Sequence, residues 1–136
     1  MPIRELTTEA ERREAVPILR QLWADERPKD VLDWTGADDY HLFGQYADEE
    51  LVGVAGVLVR QVLHHDRHAW LYDLVVDEAH RGAGHGRALV RFVEDWAREQ
   101  DCAHVALASP LAKEGVHEYY EEMDYERWGY VIEKSL

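Results

Sequence analysis

Cysteine, lysine and long apolar runs are the scarce features of this 136-residue sequence, and each scarcity excludes something. Cys102 is the only cysteine, so no disulfide can close within the chain, and a reducing compartment is expected. The opening residues Met1-Pro2-Ile3-Arg4-Glu5 carry no apolar run of the secretory kind, which makes the cytoplasm the expected location. Even the most apolar stretch, Leu51 to Leu63, is interrupted by Gly53, Gly56, Arg60 and Gln61, well short of the ~20 residues that cross a bilayer. The only lysines are Lys29, Lys113 and Lys134, and 28 acidic residues against 15 basic ones leave a formal net charge of −13. Nucleic acid and anionic membranes would therefore meet like charge, and neither is an expected partner. Such an acidic, lysine-poor surface has a halophilic-like composition, because concentrated salt screens its self-repulsion.

What remains is a normal globular composition, 46% hydrophobic, in a length suited to a single domain over residues 1–136. Ile3 to Leu6 alternates like a short strand. Thr7 or Thr8 with Glu11 has capping-box spacing ahead of Ala15, Ile18, Leu19, Leu22 and Trp23, which recur at helical intervals. Between Asp25 and Asp39, Pro28, Gly36 and many charges predict a loop holding no more than one helical turn. Tyr40 to Tyr46 and Leu51 to Val62 read as a hairpin across Ala47-Asp48-Glu49-Glu50, and a turn at His64 to His68 leads to a third strand, Trp70 to Val76. Gly84 to Gln100 follows as an amphipathic helix, Cys102 to Ala108 as a buried strand, Val116 to Met123 as a short helix and Tyr125 to Leu136 as one or two strands. The order β-α-β-β-β-α-β-α-β predicts an α/β fold with a mixed central sheet, antiparallel at first and then crossing over through a helix.

Three glycines, Gly82, Gly84 and Gly86, fall where a strand gives way to a helix. There, backbone N–H groups can face outward beside the positive end of a helix dipole, a seat suited to pyrophosphate. A P-loop would need Lys then Ser or Thr after its last glycine, whereas Arg87-Ala88 follows. A dinucleotide fingerprint would need a third glycine where Arg87 stands and an acidic end to the next strand, which instead closes in Ala108-Ser109-Pro110. A tight helix start with no ligand is the plain alternative.

Arg81-Gly82-Ala83-Gly84-His85-Gly86 fits the (Gln/Arg)-x-x-Gly-x-(Gly/Ala) signature and thereby resembles the GNAT superfamily of acyl-CoA-dependent N-acetyltransferases. The segment His117 to Tyr125, with its Tyr119-Tyr120 pair, resembles that superfamily's later aromatic signature, and the element order resembles its fold over nearly the whole chain. The resemblance implies acetyl-CoA as co-substrate, held between splayed fourth and fifth strands. Its pyrophosphate would lie on the amides of Gly82, Ala83, Gly84, His85, Gly86 and Arg87, near the charges of Arg81 and Arg87. Leu74, Val75 and Val76 would meet the pantetheine arm through main-chain hydrogen bonds. Arg91 is equally well read as a solvated helix residue. The implied reaction is acetyl transfer to a primary amine, with a non-catalytic acyl-CoA sensor as the alternative; the sequence leaves the oligomeric state open, a homodimer among the options.

Acyl transfer from a thioester to an amine needs a proton acceptor, oxyanion stabilisation and a proton for the leaving thiolate. Tyr120 aligns with the family's tyrosine acid, while Tyr119 is read as packing. Asp73 on the fourth strand is a candidate base, set against the alternation rule that would turn it to the other sheet face as an anchor. His117, one helical turn before Tyr120, is a second candidate. Cys102 is read as core. His64, His65, His68 and Asp66 are read as a solvated turn, so no metal is expected. Asp124 stands where the family has Gly, Ser109-Pro110 where many members have Asn, and His85 where an aliphatic residue is common.

Overall fold

The computed structural model describes residues 2–136, which fall into two compact units, one ending at Ala106 and the other spanning Leu107–Leu136. The first unit carries a five-stranded mixed sheet in the order β1-β2-β3-β4-β5, formed by Ile3–Glu5, Tyr40–Ala47, Glu50–Val62, Asp66–Val76 and His104–Ala106. The first four strands pair antiparallel and β5 runs parallel to β4. An α/β fold with an antiparallel meander and a β-α-β crossover was expected from the sequence, and that is what forms.

Helix α1, Glu9–Leu22, starts on the capping box that its sequence spells: Glu11 N–H donates to the Thr8 hydroxyl at 3.1 Å, and Thr8 N–H donates to the Glu11 carboxylate at 3.2 Å. Fourteen residues make a marginal helix in isolation. Burial of Ala15, Val16, Ile18 and Leu19 against Leu42, Val54 and Val75 supplies the missing stability, at about 1.5–3 kcal/mol for each large apolar side chain. Leu42 thus faces α1, and its neighbour Phe43 faces the other way, meeting Phe92 and Trp96 of α3 (His85–Glu99) at 5.2 and 5.1 Å between rings. The sheet is consequently covered on both faces.

Two expectations need correction. The stretch read as a loop with at most one turn contains a full helix, α2, Pro28–Thr35. Pro28 is preset for the first helical turn, Lys29 and Asp33 pair at 2.9 Å four residues apart, and Val31 and Thr35 are buried. The loop reading rested on Pro28 and Gly36, which instead bound this helix as its first residue and its C-cap. The second unit holds α4, Glu114–Glu121, but residues 125–136, expected as one or two strands, form none. Strand propensity acts only through a neighbouring strand. Here Arg127 instead ties the segment to α4, donating to Glu114 at 3.0 Å and Glu121 at 2.9 Å.

The parallel pairing is short. β5 pairs only His68, Ala69 and Trp70 of β4, with His104, Val105 and Ala106. From Leu71 to Val76, β4 has no strand partner on that side among the described residues, while on the other it continues beside β3 to the pair Gly53 and Val76. This open edge leads directly into the glycine turn.

Candidate active site

The end of β4 is fastened before the turn begins. Gln21 of α1 donates to Asp77 Oδ1 at 2.7 Å and accepts from Glu78 N–H at 3.0 Å, and His80 Nδ1 lies 3.0 Å from Asp77 Oδ2. The Gln21 bond first, and then His80, hold the Asp77 carboxyl below its ordinary range. Arg81 donates through Nε to the Val76 carbonyl at 3.0 Å, so that carbonyl, expected to be available to a ligand, already has a partner. Alternate residues of an antiparallel strand turn both N–H and C=O away from their partner strand, which leaves main-chain groups of the Leu74 to Val76 stretch along the open edge.

Gly82 and Gly84 then take φ values of 85° and 84°, the left-handed region where a side chain brings strain, and both are exposed. A Cβ at either would meet nothing within 4 Å, so open space rather than packing faces the turn. Gly84 is the N-cap of α3 without a side-chain hydrogen bond, and the helix's first backbone bond runs from Ala88 N–H to the Gly84 carbonyl at 3.1 Å. The amides of the preceding turn belong to the set that a helix cannot satisfy internally. His85 contributes an orphan: its side chain is buried, and Nδ1 has no hydrogen-bond partner. An uncovered, left-handed amide turn at the positive end of a 15-residue helix fits an anionic pyrophosphate.

Asp73 is placed otherwise than simple alternation implies. Gly56 pairs with Asp73 and Val57 with Leu71, leaving Tyr72 as an extra residue in a β-bulge. Asp73 is only 2% exposed and accepts three side-chain hydrogen bonds. They come from Trp23 Nε1 at 2.7 Å, Tyr40 Oη at 2.7 Å and Trp34 Nε1 at 3.4 Å. Burial first, and the neighbouring carboxylate second, push the Tyr40 phenol well above its ordinary value, so it is held as a donor. Sequence reasoning missed all three donors, because Trp23 read as a helix-face residue and Trp34 as part of a loop. One legible signal was Gly56, a glycine inside an apolar strand. A Cβ there would overlap the Tyr40 ring and hydroxyl. Gly56→Ala is therefore expected to displace Tyr40 from Asp73 and to destabilise the fold by about 1–3 kcal/mol, read as a lower denaturation midpoint with unchanged slope.

In the second unit, His117 and Tyr120 lie three residues apart on α4. His117 Nε2 is 2.9 Å from the Pro110 carbonyl, which can only accept, so Nε2 carries the proton and the lone pair of the neutral ring is on Nδ1. That Nδ1 has no hydrogen-bond partner, and the Glu114 carboxylate lies 3.8 Å away. Tyr120 packs edge-on against Tyr119 and Tyr125, with ring centroids 5.2 and 5.5 Å apart. Burial, followed by the Tyr119 phenol, raises its hydroxyl far above the ordinary value. Cys102 is partly buried, and burial likewise raises its thiol. The histidine turn also gathers His104, whose ring lies 5.2 Å from that of His65. No group of three metal-ligating side chains suited to a metal ion occurs among the described residues, and no helix among them is long and apolar enough to cross a membrane.

The described site is a mixed sheet whose fourth strand runs with an unpaired edge into an uncovered amide turn. The model of the Acetyltransferase (GNAT) family matches residues 4–125, and the chain belongs to that family. It is 29% identical over 138 aligned positions to the uncharacterized N-acetyltransferase YhdJ of Bacillus subtilis, covering 98% of this chain and 94% of that protein. Two crystal structures share the fold. A transcriptional regulator from Bacillus halodurans superimposes with a TM-score of 0.85 at 21% identity, over 99% of each chain. The aminoglycoside N-acetyltransferase AAC(6')-Iy, solved in complex with CoA, superimposes with a TM-score of 0.87 at 18% identity, over 99% of this chain and 93% of that one.

Proposed function

We propose that this protein transfers an acetyl group from acetyl-CoA to a primary amine, carried by a small molecule or by a protein or peptide. The single observation that carries the reading is the turn Gly82 to Gly86, left-handed at two glycines and open to its surroundings at the start of α3. Family membership and the CoA found with AAC(6')-Iy support the same donor.

In this reading the amides from Gly82 to Arg87 hold the pyrophosphate, with Arg81 and Arg87 supplying charge and His85 Nδ1 a further polar contact. Those main-chain groups of the Leu74 to Val76 stretch that face the open edge align the pantetheine arm, and an N–H among them stabilises the oxyanion. Acetyl-CoA supplies an activated acyl carbon. The amine forms the new C–N bond as the C–S bond breaks, its proton passes to His117 Nδ1, and Tyr120 protonates the departing sulfur. The unpartnered lone pair on His117 favours it as acceptor. Asp73, engaged by three donors, is better suited to positioning its neighbours than to taking a proton.

The proposed seat is tested by calorimetric titration with acetyl-CoA and with S-acetylpantetheine, which lacks the pyrophosphate and nucleotide. Acetyl-CoA is expected to bind at least about 100-fold more tightly, the sum of several charge-assisted hydrogen bonds. Equal affinities would remove the glycine turn from the account.

A further inference from the structure

Around Asp73 lies an assembly that donor binding does not use. The two indoles that donate to its carboxylate are themselves 44% and 41% exposed, at Trp23 and Trp34. Tyr72, delivered to the same place by the bulge, is 51% exposed and meets Trp34 edge-on with ring centroids 6.4 Å apart. Trp70 continues the row, 6.1 Å from Tyr72. Surface tryptophans and a tyrosine thus stand in front of a carboxylate that is buried, and among the described residues no Arg or Lys pairs with it.

From this geometry we infer that Trp23, Trp34 and Tyr72, backed by Asp73, bind an alkylammonium centre of the acceptor. The word acceptor rests on the acetyl transfer proposed above, but the binding site does not. Three physical features converge on a cation. Exposed aromatic faces carry the negative end of a ring quadrupole, which attracts ammonium groups. A carboxylate offers about four lone-pair directions, of which the two indoles and Tyr40 use three, and indole N–H groups can only donate. Its charge is therefore oriented and held within the protein without being neutralised. The N–H bonds also fix both indoles by their edges, so the rings are set in place before any ligand arrives, which lowers the ordering cost of binding. A net charge of −13 adds long-range attraction for the same class of molecule. The arrangement spans α1, α2 and β4 and depends on Gly56, whose missing side chain lets Tyr40 reach Asp73.

The test uses the full chain and choline, whose quaternary ammonium can be neither deprotonated nor acetylated. Its neutral counterpart, 3,3-dimethylbutan-1-ol, keeps the shape and hydroxyl and lacks only the charge. Tryptophan fluorescence is followed in both titrations with ionic strength held constant by KCl, so that diffuse attraction to an acidic surface is matched. Choline is expected to give a saturable change, with affinity about tenfold above that of the alcohol. Tyr72→Leu, at an exposed ring, should weaken choline binding by about threefold or more with an unchanged melting temperature. Trp34→Leu should weaken it further. Equal binding of the two compounds, no saturable response to choline, or unchanged affinity in both variants would overturn the inference. Charge-selective choline binding in a protein that acetylates no amine would instead sink the acetyl-transfer reading and leave this site standing.

Discussion

Gly84→Glu is expected to lower the affinity for acetyl-CoA by at least about 100-fold, roughly 2.7 kcal/mol, while the protein remains folded. Three effects add. Gly84 has a φ of 84°, and a side chain there carries about 1–2 kcal/mol of left-handed strain. The new side chain projects into the open space that faces the turn. Its carboxylate would also occupy the positive end of α3, where the pyrophosphate is proposed to lie. Because no protein atom lies within 4 Å of the added Cβ, the strain is local and the melting temperature should fall by only a few degrees. Gly84→Ala separates the contributions, since it keeps the strain without the charge, and its loss of affinity should be clearly smaller. Unchanged acetyl-CoA affinity in Gly84→Glu, measured by calorimetry, would remove the turn from the binding site.

Tyr120→Phe should lower kcat by about 100-fold or more, within the range of a lost general acid, and leave the dissociation constant of acetyl-CoA unchanged. Removing only the hydroxyl keeps the ring against Tyr119 and Tyr125, so a stability loss would not mimic the effect. The pH dependence has a definite sign. Burial raises the Tyr120 phenol above its ordinary value, so the protonated, donating form persists to higher pH than in a free tyrosine. The wild-type kcat should therefore show no loss from tyrosine ionisation as pH rises toward about 10. Full activity in Tyr120→Phe across pH would assign the proton to another donor.

The residues that carried the sequence reading and those that defeated it differ in a simple physical way. Local geometry was legible. The Thr8 and Glu11 cap, the glycines at 82 and 84 and the apolar spacing of α3 each act over a few residues, and each forms as its spacing implies. Long-range geometry was less so. Asp73 was weighed by strict alternation along β4, but the extra residue at Tyr72 breaks that alternation and brings both side chains to Trp34. Nothing local marks a bulge, because it results from a register shift against Gly56 on another strand. The donors to Asp73 come from 33, 39 and 50 residues away, beyond the reach of any motif. Helix α2 escaped because it is only eight residues long and is bounded by Pro28 and Gly36, residues that read as loop. Tyr125 to Leu136 failed in the opposite direction: strand-forming residues were present, and no strand formed.

The central claim is that this chain moves an acetyl group from acetyl-CoA to an amine, and the appearance of free CoA thiol measures it most directly. Purified protein is mixed with acetyl-CoA, thiol release is followed, and a panel of amines is then added, from simple alkylamines to diamines and a basic peptide. Release that depends on the amine and saturates with its concentration, together with the N-acetylated product by mass spectrometry, is the predicted result. Tight acetyl-CoA binding without amine-dependent thiol release from any member of the panel would contradict it, and would describe a protein that senses acyl-CoA without using it.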